Sequence, residues 1–295
     1  MKIFNKHLVP AVMLVCCLST LSYGEDSVAT WHVKPIAQLE GLDVPECMLP
    51  DVSGNRIYVS NIECAPKEYW EDDGKGYISV FDKEGTLVEK RWLDSRPGAV
   101  INSPKGMAIL NGFLYFTDNA RLMRTPLDNP KALETVELPD TGRLNDAASD
   151  GKEVFVSDLA AGKIFAVKPD KTFRMIPAPE SVNGVTVHEG VLYAVSWDLG
   201  EVYELDITGR KAPKPFGLKG TFKNLDAVFV LDDGAFIVSD FPGGRVAIIE
   251  ADRKTVHTLV KLESPADIGV DLKNNRLYVP QLMVDKAVVY KFWKE

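Results

Sequence analysis

Histidine and cysteine are scarce, 4 of each in 295 residues, and no CxxC or mixed Cys/His spacing suited to zinc occurs. A structural zinc site of the usual kind is therefore not indicated. His32, His188 and His257 fall in strand or turn contexts with no Ser or Cys partner, so packing or surface roles suffice and a hydrolytic triad has no support. Basic clusters are missing too: Asp and Glu number 42 against 34 Lys and Arg, a net charge of -8, with no basic stripe interleaved with aromatics. That argues against nucleic acid and leaves a small molecule as the expected partner. Long apolar runs are confined to Leu8–Leu18, shorter than the roughly 20 residues a membrane span needs, so no membrane insertion is expected. Helix-length amphipathic stretches are absent.

What is present begins with a leader. Met1–Gly24 carries Lys2 and Lys6, then the apolar run, then Ser22-Tyr23-Gly24, whose small residues suit a signal peptidase. Residues 1–24 read as a secretory signal peptide and 25–295 as the mature protein, exported to a periplasm or secreted. Cys16 and Cys17 raise the alternative of lipidation, but Val15 is not the small residue that such a signal needs before its cysteine. Beyond the leader only Cys47 and Cys64 remain. Hairpin pairing about Ser53-Gly54 sets Cys64 opposite residue 43 and not opposite Cys47, which disfavours a disulfide between them although export permits one.

The mature chain is a repeat. One unit, a short apolar strand, a Gly/Asn/Asp turn and a strand ending in aromatic-Val-Ser-Asp or similar, occurs six times, opening at Glu46, Lys105, Asn145, Asn183, Asp226 and Asp267. Successive openings lie 40, 38, 43 and 41 residues apart; the first interval is 59 and holds the polar insertion Lys67–Lys75. Further β-like runs follow each copy, among them Lys163–Val167, Glu201–Leu205 and Arg245–Glu250. Units of about 40 residues with turn signals every 8 to 12 describe four-stranded propeller blades. The expected fold is an all-β six-bladed propeller, its ring closed by a strand within Ala29–Leu39 that completes the last blade.

The first strand of each blade lines the axis, so the six opening residues are expected to form one ring. All six are polar, and with three carboxylates and one lysine the ring sums to -2, which a divalent cation would neutralise. Lys105 is placed either to bridge Asp267 or to orient an anionic substrate. Asp118, Asp158 and Asp240, at the ends of second strands, read as acceptors of turn N–H groups. Glu71-Asp72-Asp73-Gly74 lacks the spacing of an EF-hand loop and reads as a solvated hairpin tip.

At these residues the chain resembles the senescence marker protein (regucalcin) and gluconolactonase family, with a looser likeness to diisopropyl fluorophosphatase. Glu46 of Pro45-Glu46, Asn145 of Arg143-Leu144-Asn145-Asp146, Asn183 of Asn183-Gly184 and Asp226 of Leu225-Asp226 match in type and blade the four residues that hold one divalent metal there. Gly243-Gly244-Arg245-Val246 also follows the family's pattern. The resemblance implies Glu46, Asn145, Asn183 and Asp226 as metal ligands, Asp226 as the catalytic residue and Arg143 as a substrate-binding residue; Asn145, and Lys105 by its place in the ring, are further substrate-binding candidates. All-oxygen ligation favours Ca²⁺, with Mg²⁺, Mn²⁺ or Zn²⁺ as other occupants. Two departures stand out: the long substrate-covering loops of some relatives look absent, because a strand follows Asp158 after a short turn, and a glutamate some members carry after blade three has no counterpart.

The activity implied is metal-dependent hydrolysis of a lactone, gluconolactonase-like, or of a related ester. The metal would act as a Lewis acid and Asp226 as general base. The alternative is a non-catalytic propeller that binds a ligand or partner and keeps the metal for structure. Organophosphate hydrolysis uses the same four ligands and is not separable by sequence. Oligomeric state is not specified by these residues.

Overall fold

The computed structural model describes residues 30–295; the signal-peptide expectation for 1–24 lies outside them. Six four-stranded antiparallel sheets are present. Blade 1, for example, runs Pro45–Asp51, Arg56–Asn61, Tyr77–Asp82 and Leu87–Asp94 from the axis outward. The inner strands of blades 2 to 6 are Pro104–Leu110, Leu144–Ser149, Val182–His188, Leu225–Val230 and Gly269–Asp271. In the sixth sheet, Gly269–Asp271, Arg276–Gln281 and Lys286–Lys294 are joined at the outer edge by Trp31–Leu39. The pairing runs from Trp31 opposite Lys294 to Leu39 opposite Ala287, so a strand from the start of the chain closes the ring, as the repeat predicts.

The core lies between blades. Alternating side chains of each strand face the neighbouring sheets, so the buried apolar residues gather into clusters that each join two adjacent blades. Tyr193, Val195 and Val202 of blade 4 pack on Val228, Phe236 and Val238 of blade 5, and Leu39, Ala287 and Val289 of the closing sheet pack on Met48, Ile57 and Val59 of blade 1. Both faces of each sheet are thereby covered, which explains strands that read as nearly continuous apolar runs, such as Val154–Asp158.

A recurrent irregularity positions the site. In blades 1 to 5 the pairing of the inner strand slips by one residue, between Pro45 and Met48, Pro104 and Met107, Leu144 and Ala147, Val182 and Val185, and Leu225 and Val228. Each slip is a β-bulge, which re-aims a side chain. The first bulged residues are Glu46, Lys105, Asn145, Asn183 and Asp226.

Blade 6 corrects the expected ring. Pro265 bridges Gln281 and Gly269 pairs with Tyr278, and the same slip makes Ala266, not Asp267, the counterpart of Glu46. Asp267 occupies the next position, equivalent to Cys47 and Asp146. Its N–H donates to the Glu46 carbonyl, and its own carbonyl accepts from Met48 N. The repeat period places Asp267 in the ring, one residue from the position the bulge selects, and on a strand that difference carries a side chain to the other side.

Candidate functional site

Two repeated residues, read in the sequence only as the blade signature, build the bulge. The hydroxyl of the second-strand serine accepts the N–H of the residue just after the site residue. Ser60 Oγ takes Cys47 N at 2.9 Å, Ser157 Oγ takes Asp146 N at 2.9 Å, and Ser239 Oγ takes Ala227 N at 2.8 Å. These hydroxyls are fully buried and satisfy donors that the bulge removes from the ladder. The aspartate that follows holds the entry to the inner strand, as expected. Asp158 accepts from Gly142 N and Arg143 N, Asp118 from Asn102 N and Ser103 N, and Asp240 from Lys223 N.

Close approach of neighbouring inner strands does the rest. A Cβ on Gly184 would lie 2.4 Å from the Asp226 carbonyl oxygen. Glycine at 184 therefore lets blades 4 and 5 meet, and Asn183 Nδ2 donates to Asp226 Oδ1 at 2.7 Å.

Glu46, Asn145, Asn183 and Asp226 are all buried and line one cavity of about 400 Å³. Three of their oxygens, Glu46 Oε2, Asn145 Oδ1 and Asn183 Oδ1, are buried with no hydrogen-bond partner. Burial pushes the Glu46 carboxyl well above the ordinary carboxylate range, and the nearby Asp226 charge raises it further while Lys105 opposes. Asp226 is pushed up to about 7, chiefly by burial, with the Asn183 hydrogen bond pulling it down and Asp146 pushing it up. Among the described residues no three His, Cys, Asp or Glu side chains gather as a metal cluster. The set here contains two carboxylates and two amides, whose oxygens are hard donors as well. The residues present thus fit a divalent ion: unsatisfied oxygens and two buried carboxylates are what such an ion would compensate.

Arg143 and Lys105 line the same cavity, in different states. The Lys105 ammonium is buried and directed at the carbonyls of Tyr69 (2.8 Å) and Ser103 (3.0 Å), with Asn119 Oδ1 at 3.5 Å and the Trp70 ring 3.9 Å below it. Burial lowers it to about 8, the Glu46 charge resisting. No bridge to Asp267 forms, because Asp267 faces the opposite funnel of about 490 Å³ together with Cys47 and Asp146. Arg143 is exposed. Its guanidinium forms no hydrogen bond or ion pair among the described residues and lies 5.3 Å over the Trp70 ring.

The blade-1 insertion, whose acidic stretch reads in the sequence as a solvated tip, is docked. Asp72 Oδ1 accepts from Asn102 Nδ2 at 2.9 Å and from Asn119 Nδ2 at 2.8 Å, and the Glu71 carbonyl accepts from Ser103 Oγ and Asn119 Nδ2. It carries Tyr69 and Trp70 onto the cavity wall, so a covering loop exists, supplied by blade 1 and not by blade 3. Trp197, Phe241, Leu282 and Met283 complete the wall, Leu282 and Phe241 sharing a packed cluster with Tyr69, and the Trp197 and Phe241 centroids lie 5.6 Å apart. Apart from the insertion's length, no local signal marked these aromatics. Cys47 and Cys64 are both free thiols.

A scan of the sequence against protein-family models finds no match, and a search of curated proteins finds none either. Solved structures do match. Luciferin-regenerating enzyme has a TM-score of 0.66 at 14% identity, covering 89% of this chain and 95% of that one. Streptogramin B lyase has 0.61 at 14%, covering 90% and 98%. A catalytically inactive His-to-Ala variant of virginiamycin B lyase from Staphylococcus aureus, with quinupristin, has 0.59 at 14%, covering 89% and 99%. At such identity the likeness establishes the fold: the chain is a six-bladed propeller related in structure to these enzymes.

Proposed function

We propose that this chain is a divalent-metal-dependent hydrolase of a lactone or related ester. The observation that carries the reading is the set of partnerless buried oxygens on Glu46, Asn145 and Asn183, gathered with Asp226 at the floor of an open cavity. Leaving such groups unsatisfied costs about 1 to 3 kcal/mol each, and a resident cation, Ca²⁺ before Mg²⁺, Mn²⁺ or Zn²⁺, relieves all of them together. Glu46, Asn145, Asn183 and Asp226 would hold it, and once bound it supplies Lewis-acid polarisation of the substrate carbonyl.

The chain's own groups account for the remaining work. Asp226 has Oδ1 engaged by Asn183 Nδ2, which fixes the carboxylate plane, and Oδ2 forms no hydrogen bond among the described residues. Oδ2 takes a proton from water, the role a positioned carboxylate performs as general base. The water oxygen bonds to the acyl carbon, the acyl C–O bond breaks, and the proton passes to the departing oxygen. Asn145 and Asn183, being neutral, add no charge to oppose that of the cation. Arg143 holds the substrate at the rim, and Lys105 keeps the Tyr69-Trp70 loop in place.

Structural neighbours of this fold include lyases, one of them inactivated by a His-to-Ala change. Among the described residues no histidine lines this cavity, which favours hydrolysis over that route. An accessible cavity with Arg143 on its wall likewise favours catalysis over a purely structural ion. The test is a panel of lactones and aryl esters given to protein stripped with chelator and reloaded separately with Ca²⁺, Mn²⁺, Mg²⁺ and Zn²⁺. Turnover restored by one ion supports the proposal; no turnover with any ion on any substrate removes it in favour of a binding propeller.

A further inference from the structure

The walls above the four central residues say more about the ligand than the floor does. Polyhydroxylated lactones bring several hydroxyls, each of which must find a partner when it leaves water. Few partners are offered here. The Lys105 ammonium is directed at two carbonyls and Asn119, and Asp198 already accepts from Ser181 Oγ. The wall is otherwise built from aromatic and aliphatic side chains, notably Trp70, Trp197 and Phe241. The one cationic group of the wall with no hydrogen bond or ion pair among the described residues is the Arg143 guanidinium, spread on the Trp70 face; one Asp198 oxygen and the Tyr69 hydroxyl likewise make no hydrogen bond there. Aromatic walls gain most from a flat apolar body, and an unpaired planar cation at the rim gains most from a carboxylate.

We propose, building on the hydrolase reading above, that the substrate is a flat apolar ester or lactone bearing a carboxylate, its body held against the wall that Trp70, Trp197 and Phe241 contribute and its anion by Arg143. Sugar lactones are then poor ligands. The feature that makes the difference is the blade-1 insertion, which brings Trp70 to the cavity.

Binding without turnover tests this directly. 2-Naphthoate, 2-naphthamide and gluconate would be titrated calorimetrically into Ca²⁺-loaded and chelator-treated protein, for wild type, Arg143→Gln and Trp70→Leu. Circular dichroism would check folding, and exposed Arg143 serves as the variant least able to disturb it. The expected result is naphthoate binding at least tenfold tighter than gluconate in both metal states. Arg143→Gln should weaken naphthoate about tenfold or more while leaving naphthamide unchanged, and Trp70→Leu should weaken both. Gluconate binding as tightly as naphthoate, or naphthoate indifferent to Arg143→Gln, overturns the proposal. Failure of the two readings is separable. Naphthoate binding with the expected variant pattern but no turnover on the ester panel removes catalysis and keeps the ligand class; efficient sugar-lactone turnover without aryl preference does the reverse.

Discussion

At the residue scale the two central carboxylates are expected to separate by role. Asp226→Asn keeps a carbonyl oxygen for a cation but cannot accept a proton, so at saturating metal its turnover should fall by about 10² to 10⁴-fold. Glu46→Gln should instead weaken metal binding and recover activity when metal is saturating. Calorimetric metal titration beside initial rates distinguishes them, and an Asp226→Asn enzyme as fast as wild type would falsify the base assignment. Lys105 makes a second prediction. Its folded value of about 8 lies below its ordinary 10.5, with Glu46, Asp118, Cys64 and Arg143 as its charged or titratable neighbours. Between those values the unfolded chain holds a proton that the folded one has lost, so stability rises with pH across this window, by about 3 kcal/mol at most. Below about 8 both states are charged and the burial cost is constant. Urea unfolding at pH 7.5, 9 and 10.5 should show that rise in wild type and not in Lys105→Met.

At the scale of elements, the docked insertion and the bulged inner strands differ in what secures them. The insertion leans on Asp72, which accepts two side-chain amide bonds from blade 2. Removing them in Asp72→Ala sacrifices about 1 kcal/mol each. The loop should open without unfolding the blades, and limited proteolysis between residues 62 and 76 should accelerate severalfold while the main thermal transition moves by only a few degrees. Unchanged cleavage would mean that Lys105 and the Trp70 contacts suffice. The bulges, by contrast, are secured by buried hydroxyls. Ser157→Ala leaves the Asp146 N–H without Ser157 Oγ beside Asn145, so a loss of about 1 to 3 kcal/mol and weaker metal binding are expected together in denaturant and metal titrations.

For the whole molecule, the ring is closed by hydrogen bonds from Trp31–Leu39 to Lys286–Lys294, and the hydrophobic contacts of Leu39 tie the last blade to the first. A chain starting after Leu39 leaves that edge unpaired, and edges of this kind invite association. Size-exclusion chromatography should show it as oligomers or aggregate, with no discrete monomer. The ion, if bound as proposed, joins four blades. A hundredfold excess over its dissociation constant stabilises by about 2.7 kcal/mol, so chelation should lower Tm by roughly 5 °C in a chain of this size. A Tm indifferent to chelator and to every divalent ion tried would remove the metal from the account.

The sequence alone determined the number of blades, the closing strand and the four polar positions at the floor of the cavity. Those features are written in a local period: each unit carries its own turn, its own Ser-Asp signature and its own opening residue, and nothing distant is needed to read them. Tertiary structure decided what depends on one residue of register or on contact between remote segments. Ala266 and not Asp267 completes the ring because the bulge of blade 6 is fixed by Pro265 and Gln281, which the alignment of repeats cannot see. Tyr69 and Trp70 reach the cavity because Asp72 finds amides 30 and 47 residues away. Lys105 spends its protons on that loop, while Arg143 keeps its guanidinium free. Two cationic side chains on one cavity can thus be anchor or receptor, and only the neighbours that folding supplies determine which.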